Sequence, residues 1–168
     1  MIAAVNGPAV GIGVTMILPF DVIVAAEEAK FGMVFVKMGI VPELASSHFL
    51  VSRMGWGHAN EMMLSGRLYL AAEAQEKGLC EYVVPGDKLM DKAFSIAAQI
   101  AENPSRQLRM TKELLTQNAC TTDLTAAQKR ETDALKICWT TPEHHEAVDA
   151  FLNKRKPDFK KAAKSAAE

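Results

Sequence analysis

A glycine-rich turn near the start of the chain is the first segment whose residue types could serve chemistry. Gly7-Pro8-Ala9-Val10-Gly11-Ile12-Gly13 follows a short apolar run and opens a segment predicted to be helical. Backbone N–H groups at such a corner, here near Ile12 and Gly13, can bind a negatively charged oxygen. A dinucleotide fingerprint would place a third glycine at Met16, and a phosphate loop would end in Gly-Lys-Ser/Thr, which is absent. The pattern alone favours a tight turn without a ligand.

Glu43 is the second candidate, because it is a carboxylate among apolar residues in the predicted loop 39–47. A carboxylate enclosed by apolar side chains loses hydration and holds a proton more readily, which suits a general base. The structural alternative is an acid near a helix N-terminus, where the helix dipole stabilises negative charge. Such acids are common, so the pattern alone favours the structural role.

An aromatic and basic cluster near the end of the chain is the third candidate. It combines two rings with three cations: Phe151, Lys154, Arg155, Lys156 and Phe159. Rings and cations together can hold the adenine and the phosphates of a nucleotide-like group by stacking and charge. A solvated basic tail has the same composition, and it is the more common interpretation of this pattern.

The remaining polar residues predict neither a metal site nor a nucleophile. His48 and His58 are single histidines in predicted helices, and the adjacent His144 and His145 diverge by roughly 100° around a helix. No serine has the G-x-S-x-G context of a nucleophile elbow. The cysteines are odd in number and far apart in the sequence: Cys80, Cys120 and Cys138. Their spacing indicates free thiols in a reducing compartment.

The composition is that of a folded protein of ordinary charge. The 168 residues are 49% hydrophobic and 23% charged. This length is that of one domain, or of one domain with a helical extension, and the chain is long enough to bury a core. A formal net charge of −1 gives no electrostatic footprint for nucleic acid. The uncharged residues 1–20 contain too many Gly and Pro interruptions for a membrane span, so we expect a buried strand, a turn and a helix there.

The apolar pattern predicts strands mixed with helices first and helices alone afterwards. Strands are predicted at residues 2–5, 21–26, 29–33 and 80–84. Short helices are predicted at residues 11–18, 46–54, 57–65 and 71–77. Longer helices follow at 88–101, from an Asn103 cap with Pro104 as first residue, at 123–138 and from Thr141-Pro142. We expect the chain to fray after Phe159. The order predicts an α/β region at residues 1–100 and a helical region at 101–168.

Several of these segments, in this order, resemble the crotonase family, also called the enoyl-CoA hydratase/isomerase superfamily. The matching segments are residues 2–13, 21–25, 29–32, 61–66, 71–84 and 151–157. The resemblance implies the C-terminal portion of a crotonase-like ββα spiral, followed by an α-helical trimerisation region. It also implies that the chain lacks the early turns of the spiral and one of the two oxyanion donors. Family members form trimers or pairs of trimers, so a homotrimer or homohexamer is expected.

The resemblance also implies site residues. In this family two backbone N–H groups hold the thioester oxygen of an acyl-CoA as an enolate, and one of them corresponds to Ile12. Hydratases of the family use two glutamates, and their positions here hold Thr15 and Phe35. Glu43, in the segment Pro-Glu-x-x-Ser-Ser, matches instead the single base of the Δ3,Δ2-enoyl-CoA isomerases. The resemblance therefore favours a catalytic role for Glu43 over the structural role that the pattern alone favours. Glu43 and Ile12 are predicted to be the catalytic residues.

The implied reaction is a proton shuttle on an acyl-CoA substrate, and neither a metal nor a cofactor is expected. Glu43 removes a proton from C2 of a 3-enoyl-CoA and returns it to C4, while the oxyanion donors hold the dienolate. Phe151, Lys154 and Phe159 become candidates for contact with the adenine end of CoA. The alternatives are a truncated, inactive CoA-binding or assembly subunit and an enoyl-CoA hydratase. We expect no nucleic-acid or membrane partner and a bacterial-type cytoplasmic location, with the mitochondrion and the peroxisome as alternatives.

Overall fold

The structure, a computed structural model, describes residues 1–165, and its strands lie in the first half of the chain. The strands are β1 (Ile2–Val5), β2 (Pro8–Val10), β3 (Val22–Ala26), β4 (Lys30–Gly32), β5 (Leu68–Leu70) and β6 (Tyr82–Val84). They form two three-stranded sheets with the orders β1-β3-β6 and β2-β4-β5. All pairs are parallel except β4 with β5. Strand β3 is central in its sheet and apolar on both faces, as buried parallel strands are.

Helices make up most of the rest of the described chain. They are α1 (Ile12–Thr15), α2 (Ser46–Ser65), α3 (Ala71–Glu76), α4 (Leu89–Ala101), α5 (Ser105–Asn118), α6 (Leu124–Trp139), α7 (Pro142–Leu152) and α8 (Phe159–Ser165). Two 3₁₀ turns cover Val34–Met38 and Gly86–Lys88. Within residues 1–165, no helix is both long enough and apolar enough to cross a membrane.

The chain divides into two compact units, one of residues 1–97 and a second that begins at Ala98. The first unit contains both sheets and an apolar core with fully buried Phe31, Met33, Leu50 and Met62. Val14 of α1 belongs to the same core, so its burial fixes the helix that follows the glycine turn. The second unit is helical, with α5 against α6 and α7 against α8.

The predicted α/β class with a helical C-terminal region is confirmed, and so is the division of residues 46–65 into two helical segments. Gly55 lies inside α2 with φ 73° and ψ 167°, outside the helical range, and kinks the helix there. Thr141 caps α7 as predicted, with its side chain accepting a hydrogen bond from the His144 N–H, and Pro142 is the first residue.

Four sequence-based expectations are corrected. Strands β2 and β5, which both pair with β4, are absent from the prediction: β2 lies in the segment 7–13 that predicts a turn, and β5 lies between α2 and α3. Pro104, rather than Asn103, occupies the N-cap of α5, since the Asn103 side chain donates to carbonyls at the end of α4. Residues 159–165 do not fray: they form α8, where the Asp158 side chain accepts from the Lys161 N–H. The rest of the predicted frayed tail, residues 166–168, lies outside the described residues.

Arg53 of α2 joins three parts of the first unit through its guanidinium group. Its Nε donates to the Leu18 carbonyl at 2.8 Å, its Nη2 donates to the Phe20 carbonyl, and its Nη1 pairs with Glu81 Oε1 at 2.7 Å. Glu81 Oε2 in turn accepts from the Ile23 N–H of β3 at 2.6 Å. The planar fork therefore ties α2 to the segment that enters β3.

We expect Arg53→Lys to lower the free energy of unfolding by about 2 kcal/mol, because a lysine ammonium cannot make these bonds together and leaves carbonyls unpartnered. Urea denaturation followed by circular dichroism measures the change. Arg109→Lys, at an exposed position of α5, is the matched control and should stay within about 0.5 kcal/mol of the unaltered chain. Equal denaturation midpoints for the two variants would contradict the structural role of Arg53.

Candidate active site

Within the glycine turn, Gly11 connects β2 to α1 through a backbone conformation that favours glycine. Gly11 has φ 55° and ψ −117°, a region that side chains with a Cβ rarely adopt. Its N–H donates to the Gly32 carbonyl at 2.8 Å, and its carbonyl accepts from the Val14 and Thr15 N–H groups at 2.9 and 3.1 Å. The turn is thereby joined to β4 on one side and to α1 on the other.

Ile12 is the first residue of α1, directly after Gly11. The N–H groups of a helix's first turn have no acceptor within the helix, so the Ile12 amide is suited to bind an external oxygen. The Ile12 side chain is 60% exposed and plays no part in the core. The structure places Ile12 at the start of α1, and its binding of a thioester oxygen stays a prediction.

Glu43 contacts Thr15, the last residue of the helix α1 that follows the glycine turn. The Thr15 hydroxyl donates to Glu43 Oε1 at 2.6 Å, across 28 residues of sequence. Thr15 is itself buried, with 1% of its surface exposed, and its Oγ1 also lies 3.2 Å from the Ile12 carbonyl oxygen. One buried hydroxyl therefore contacts both the candidate base and the residue of the candidate amide donor. The sequence contained no signal for this contact.

The surroundings of Glu43 differ from the expectation of an apolar enclosure. Glu43 is exposed, and so are its apolar neighbours Ile40, Val41 and Leu44, so apolar sequence context does not make a buried carboxylate here. Glu43 lies two residues before the N-cap of α2, near the helix N-terminus as the structural alternative has it, but its side chain does not cap the helix. Ala45 occupies the N-cap of α2 without a side-chain cap, and the Glu43 side chain bonds Thr15 instead.

The two residues after Glu43 have left-handed backbone conformations. Leu44 and Ala45 both have φ 54°, where a non-glycine residue costs about 1–2 kcal/mol. Residues held in such conformations cluster at functional sites. The Ser46 N–H donates to the Glu43 carbonyl at 3.1 Å and closes the turn. The chain therefore bends sharply immediately after the candidate base.

Thr15 and Phe35 occupy the two positions that the resemblance assigns to glutamates in hydratases. Phe35 is buried, and its Cζ lies 3.9 Å from the point where a Cβ on Gly11 would stand. A phenyl ring and a hydroxyl of ordinary acidity do not serve as general bases near neutral pH. Glu43, by contrast, is a carboxylate, and the Thr15 hydroxyl donates to it.

The three candidates for CoA contact lie around the connection between α7 and α8 in the second unit. Phe151 is 82% exposed, Lys154 follows α7 with φ 52°, and Phe159 is the half-buried first residue of α8. Over residues 1–165, no carboxylate lies in salt-bridge range of Lys154. Contact of these residues with CoA stays a prediction.

The two other cations of this cluster, Arg155 and Lys156, are engaged within the second unit. Arg155 pairs with Glu146 and Asp149, and Lys156 pairs with Glu102 at 3.2 Å. The Arg155 guanidinium, helped by the Asp158 N–H, lowers the pKa of Glu146 to about 2. Within residues 1–165, Lys154 is therefore the cation of the cluster that has no carboxylate in salt-bridge range.

No metal-binding group forms in the described part of the chain, and the Cys80 thiol is not activated. Residues 1–165 bring together no group of three His, Cys, Asp or Glu side chains that could hold a metal ion. Cys80 is buried, and burial raises the pKa of its thiol to about 11, which does not suit a nucleophile.

The comparisons with known proteins agree with this arrangement of turn, strands and helices. The family model described as enoyl-CoA hydratase/isomerase matches residues 1–162. The chain belongs to the enoyl-CoA hydratase/isomerase family, and its fold is the crotonase fold that the resemblance implied.

Among curated relatives, 2,3-dehydroadipyl-CoA hydratase of Escherichia coli (strain K12) is 36% identical over 160 residues, which cover 95% of this chain and 62% of the relative. A putative enoyl-CoA hydratase of Thermus thermophilus is 37% identical, with 94% and 62% covered. The crystal structure of enoyl-CoA hydratase from Bacillus anthracis matches with a TM-score of 0.90 at 35% identity, covering 94% of this chain and 61% of that one. The chain spans about three fifths of the length of these relatives.

Proposed function

We propose that the site formed by the glycine turn and Glu43 shifts a carbon–carbon double bond in an acyl-CoA, converting a 3-enoyl thioester into the 2-enoyl isomer. The observation that carries the proposal is the 2.6 Å hydrogen bond from Thr15 Oγ1 to Glu43 Oε1. This bond holds a carboxylate at the turn whose amide is suited to a thioester oxygen. A base and an oxyanion donor are the two groups that enolate chemistry needs.

The reaction proceeds in two proton transfers through one carboxylate. The Ile12 N–H binds the thioester oxygen, and Glu43 removes a proton from C2, so that the C2–H bond breaks and an O–H bond forms on the carboxyl group. The electron pair spreads over the dienolate, whose oxygen the amide stabilises by about 3–4 kcal/mol. The carboxylic acid then returns the proton at C4, and the double bond lies between C2 and C3.

An enoyl-CoA hydratase is the second candidate, and the names of the relatives support it. Thr15 and Phe35 oppose it, because neither side chain can activate a water molecule as a glutamate does. Glu43 alone, shared between taking and returning one proton, accounts for isomerisation without a second carboxylate.

The proposal extends to the binding of the CoA part of the substrate and to the assembly of the protein. Phe151 and Phe159 supply rings and Lys154 supplies charge for the adenine and phosphates of CoA.

A homotrimer or homohexamer is proposed for the whole protein, supported by the exposure of Leu124 and Trp139, at 79% and 52%, on α6 of the second unit.

The test is an assay of the purified chain on a 3-enoyl-CoA and, in parallel, on a 2-enoyl-CoA in water. We expect the absorbance of the conjugated 2-enoyl thioester to appear with the first substrate and to persist with the second. If 2-enoyl-CoA loses its conjugation faster than 3-enoyl-CoA gains it, the result would assign a hydratase instead. Binding of CoA by calorimetry without turnover of either substrate would assign an inactive binding subunit.

A further inference from the structure

We propose that Thr15 is a positioning residue for Glu43: its hydroxyl holds Oε1 and thereby makes Oε2 the oxygen that takes and returns the proton. The inference rests on the proposed isomerase function and adds to it the residue that orients the base. Neither the family match nor the names of the relatives assign a role to Thr15.

The hydroxyl of Thr15 has one hydrogen and two possible acceptors. The Glu43 Oε1 atom lies at 2.6 Å and the Ile12 carbonyl oxygen at 3.2 Å. A separation of 2.6 Å is typical of a charge-assisted O–H···O⁻ bond, whereas 3.2 Å is long for an O–H donor. A single hydrogen can make one good bond, so it belongs to Glu43. The local bond back to the helix is the weaker alternative.

Glu43 needs such a bond because packing does not hold it. It is exposed, and the flanking Val41 and Leu44 are exposed at 79% and 55%. Among residues 1–165, no cation lies within salt-bridge distance of its carboxylate. Thr15, by contrast, is 1% exposed and belongs to α1, whose Val14 lies in the core. A rigid donor therefore orients a carboxylate that would otherwise rotate in solvent.

The consequence for the reaction concerns the time between the two proton transfers. With Oε1 bound to Thr15, the proton taken from C2 resides on Oε2, and rotation of the carboxyl group is restrained until C4 receives it. Without the bond, the carboxylic acid turns toward solvent and exchanges its proton. Thr15 thus favours return of the same proton over exchange with water, and it keeps the base within reach of the substrate.

The experiment compares Thr15→Val, which has nearly the same shape without the hydroxyl, with Thr15→Ser, which keeps the hydroxyl. We expect Thr15→Val to lower kcat by about 10–100-fold with KM within about twofold, and Thr15→Ser to recover kcat to within about threefold of the unaltered chain. In D₂O, the fraction of product that carries solvent deuterium at C4 should rise in Thr15→Val and not in Thr15→Ser. A merely structural role would not move this fraction.

Thr15→Ala serves as a second hydroxyl-free variant if Thr15→Val does not fold, which near-ultraviolet circular dichroism shows. Unchanged kcat in a folded hydroxyl-free variant, or a serine variant no better than valine, would overturn the inference while the isomerase proposal stands. A rise in KM at constant kcat would also overturn it, by assigning Thr15 to substrate binding. No turnover of 3-enoyl-CoA by the unaltered chain would overturn the proposed function and the role of Thr15 with it.

Discussion

Glu43→Gln lowers kcat for the double-bond shift by about 10³-fold or more, because an amide cannot accept a proton from C2 and the proposed mechanism has no second base. The substitution is gentle toward the fold. The glutamine carbonyl oxygen can still accept the hydrogen bond from Thr15, and the exposed position leaves no buried charge unpaired. Formation of the conjugated thioester from a 3-enoyl-CoA measures kcat, and the thermal midpoint of unfolding measures the fold.

The matched control for this prediction is Glu76→Gln, at the exposed last residue of α3. It makes the same chemical change away from the turn and should leave kcat and the thermal midpoint as they are. Activity of Glu43→Gln within about tenfold of the unaltered chain would assign the base to another group and remove the foundation of the proposed mechanism.

Gly11→Ala combines a loss of stability with a loss of activity. The added Cβ has room, since its nearest neighbour is Phe35 Cζ at 3.9 Å, so the cost arises from the backbone angles alone. Holding alanine at φ 55° and ψ −117° costs about 1–3 kcal/mol. If the backbone relaxes instead, the Ile12 amide shifts from the thioester oxygen, and kcat/KM falls by about 10²-fold.

Gly7→Ala is the control for Gly11→Ala, because Gly7 is not among the residues with positive φ and a Cβ there meets nothing within 4 Å. Its thermal midpoint and kcat/KM should match those of the unaltered chain. Identical values for the two alanine variants would show that the conformation of Gly11 matters neither to the fold nor to the amide.

The elements that were predictable are those whose signals are local. The β-branched run of β3 and the Thr141-Pro142 start of α7 encode their own structure, in burial and in a cap. Strands β2 and β5 could not be predicted, because the sequence around β2 predicts a turn and β5 is a three-residue connection between two helices, and both strands are recognised through their pairing with β4. Helix α8 begins directly after Asp158, whose N–H donates to Glu146 of α7, a contact that an Ala/Lys-rich sequence does not reveal.

The candidate site likewise has parts that the sequence predicts and parts that it does not. Apolar residues around Glu43 predicted enclosure, but these neighbours face solvent in this chain, because sequence proximity says nothing about which side of a loop is covered. The resemblance put Glu43 and Ile12 forward, while spacing alone favoured structural roles for both. The Thr15 contact joins residues of two separate elements, so only the folded chain reveals it.

The left-handed backbone conformations of Leu44 and Ala45 lower the stability of the chain beside the site, and substitution at these positions can recover it. Glycine or asparagine adopts these backbone angles more easily, so a library randomised at the two positions and sorted for heat resistance should enrich these two residue types. Engineering of this chain can therefore begin at a pair of side chains that the proposed proton transfer does not use.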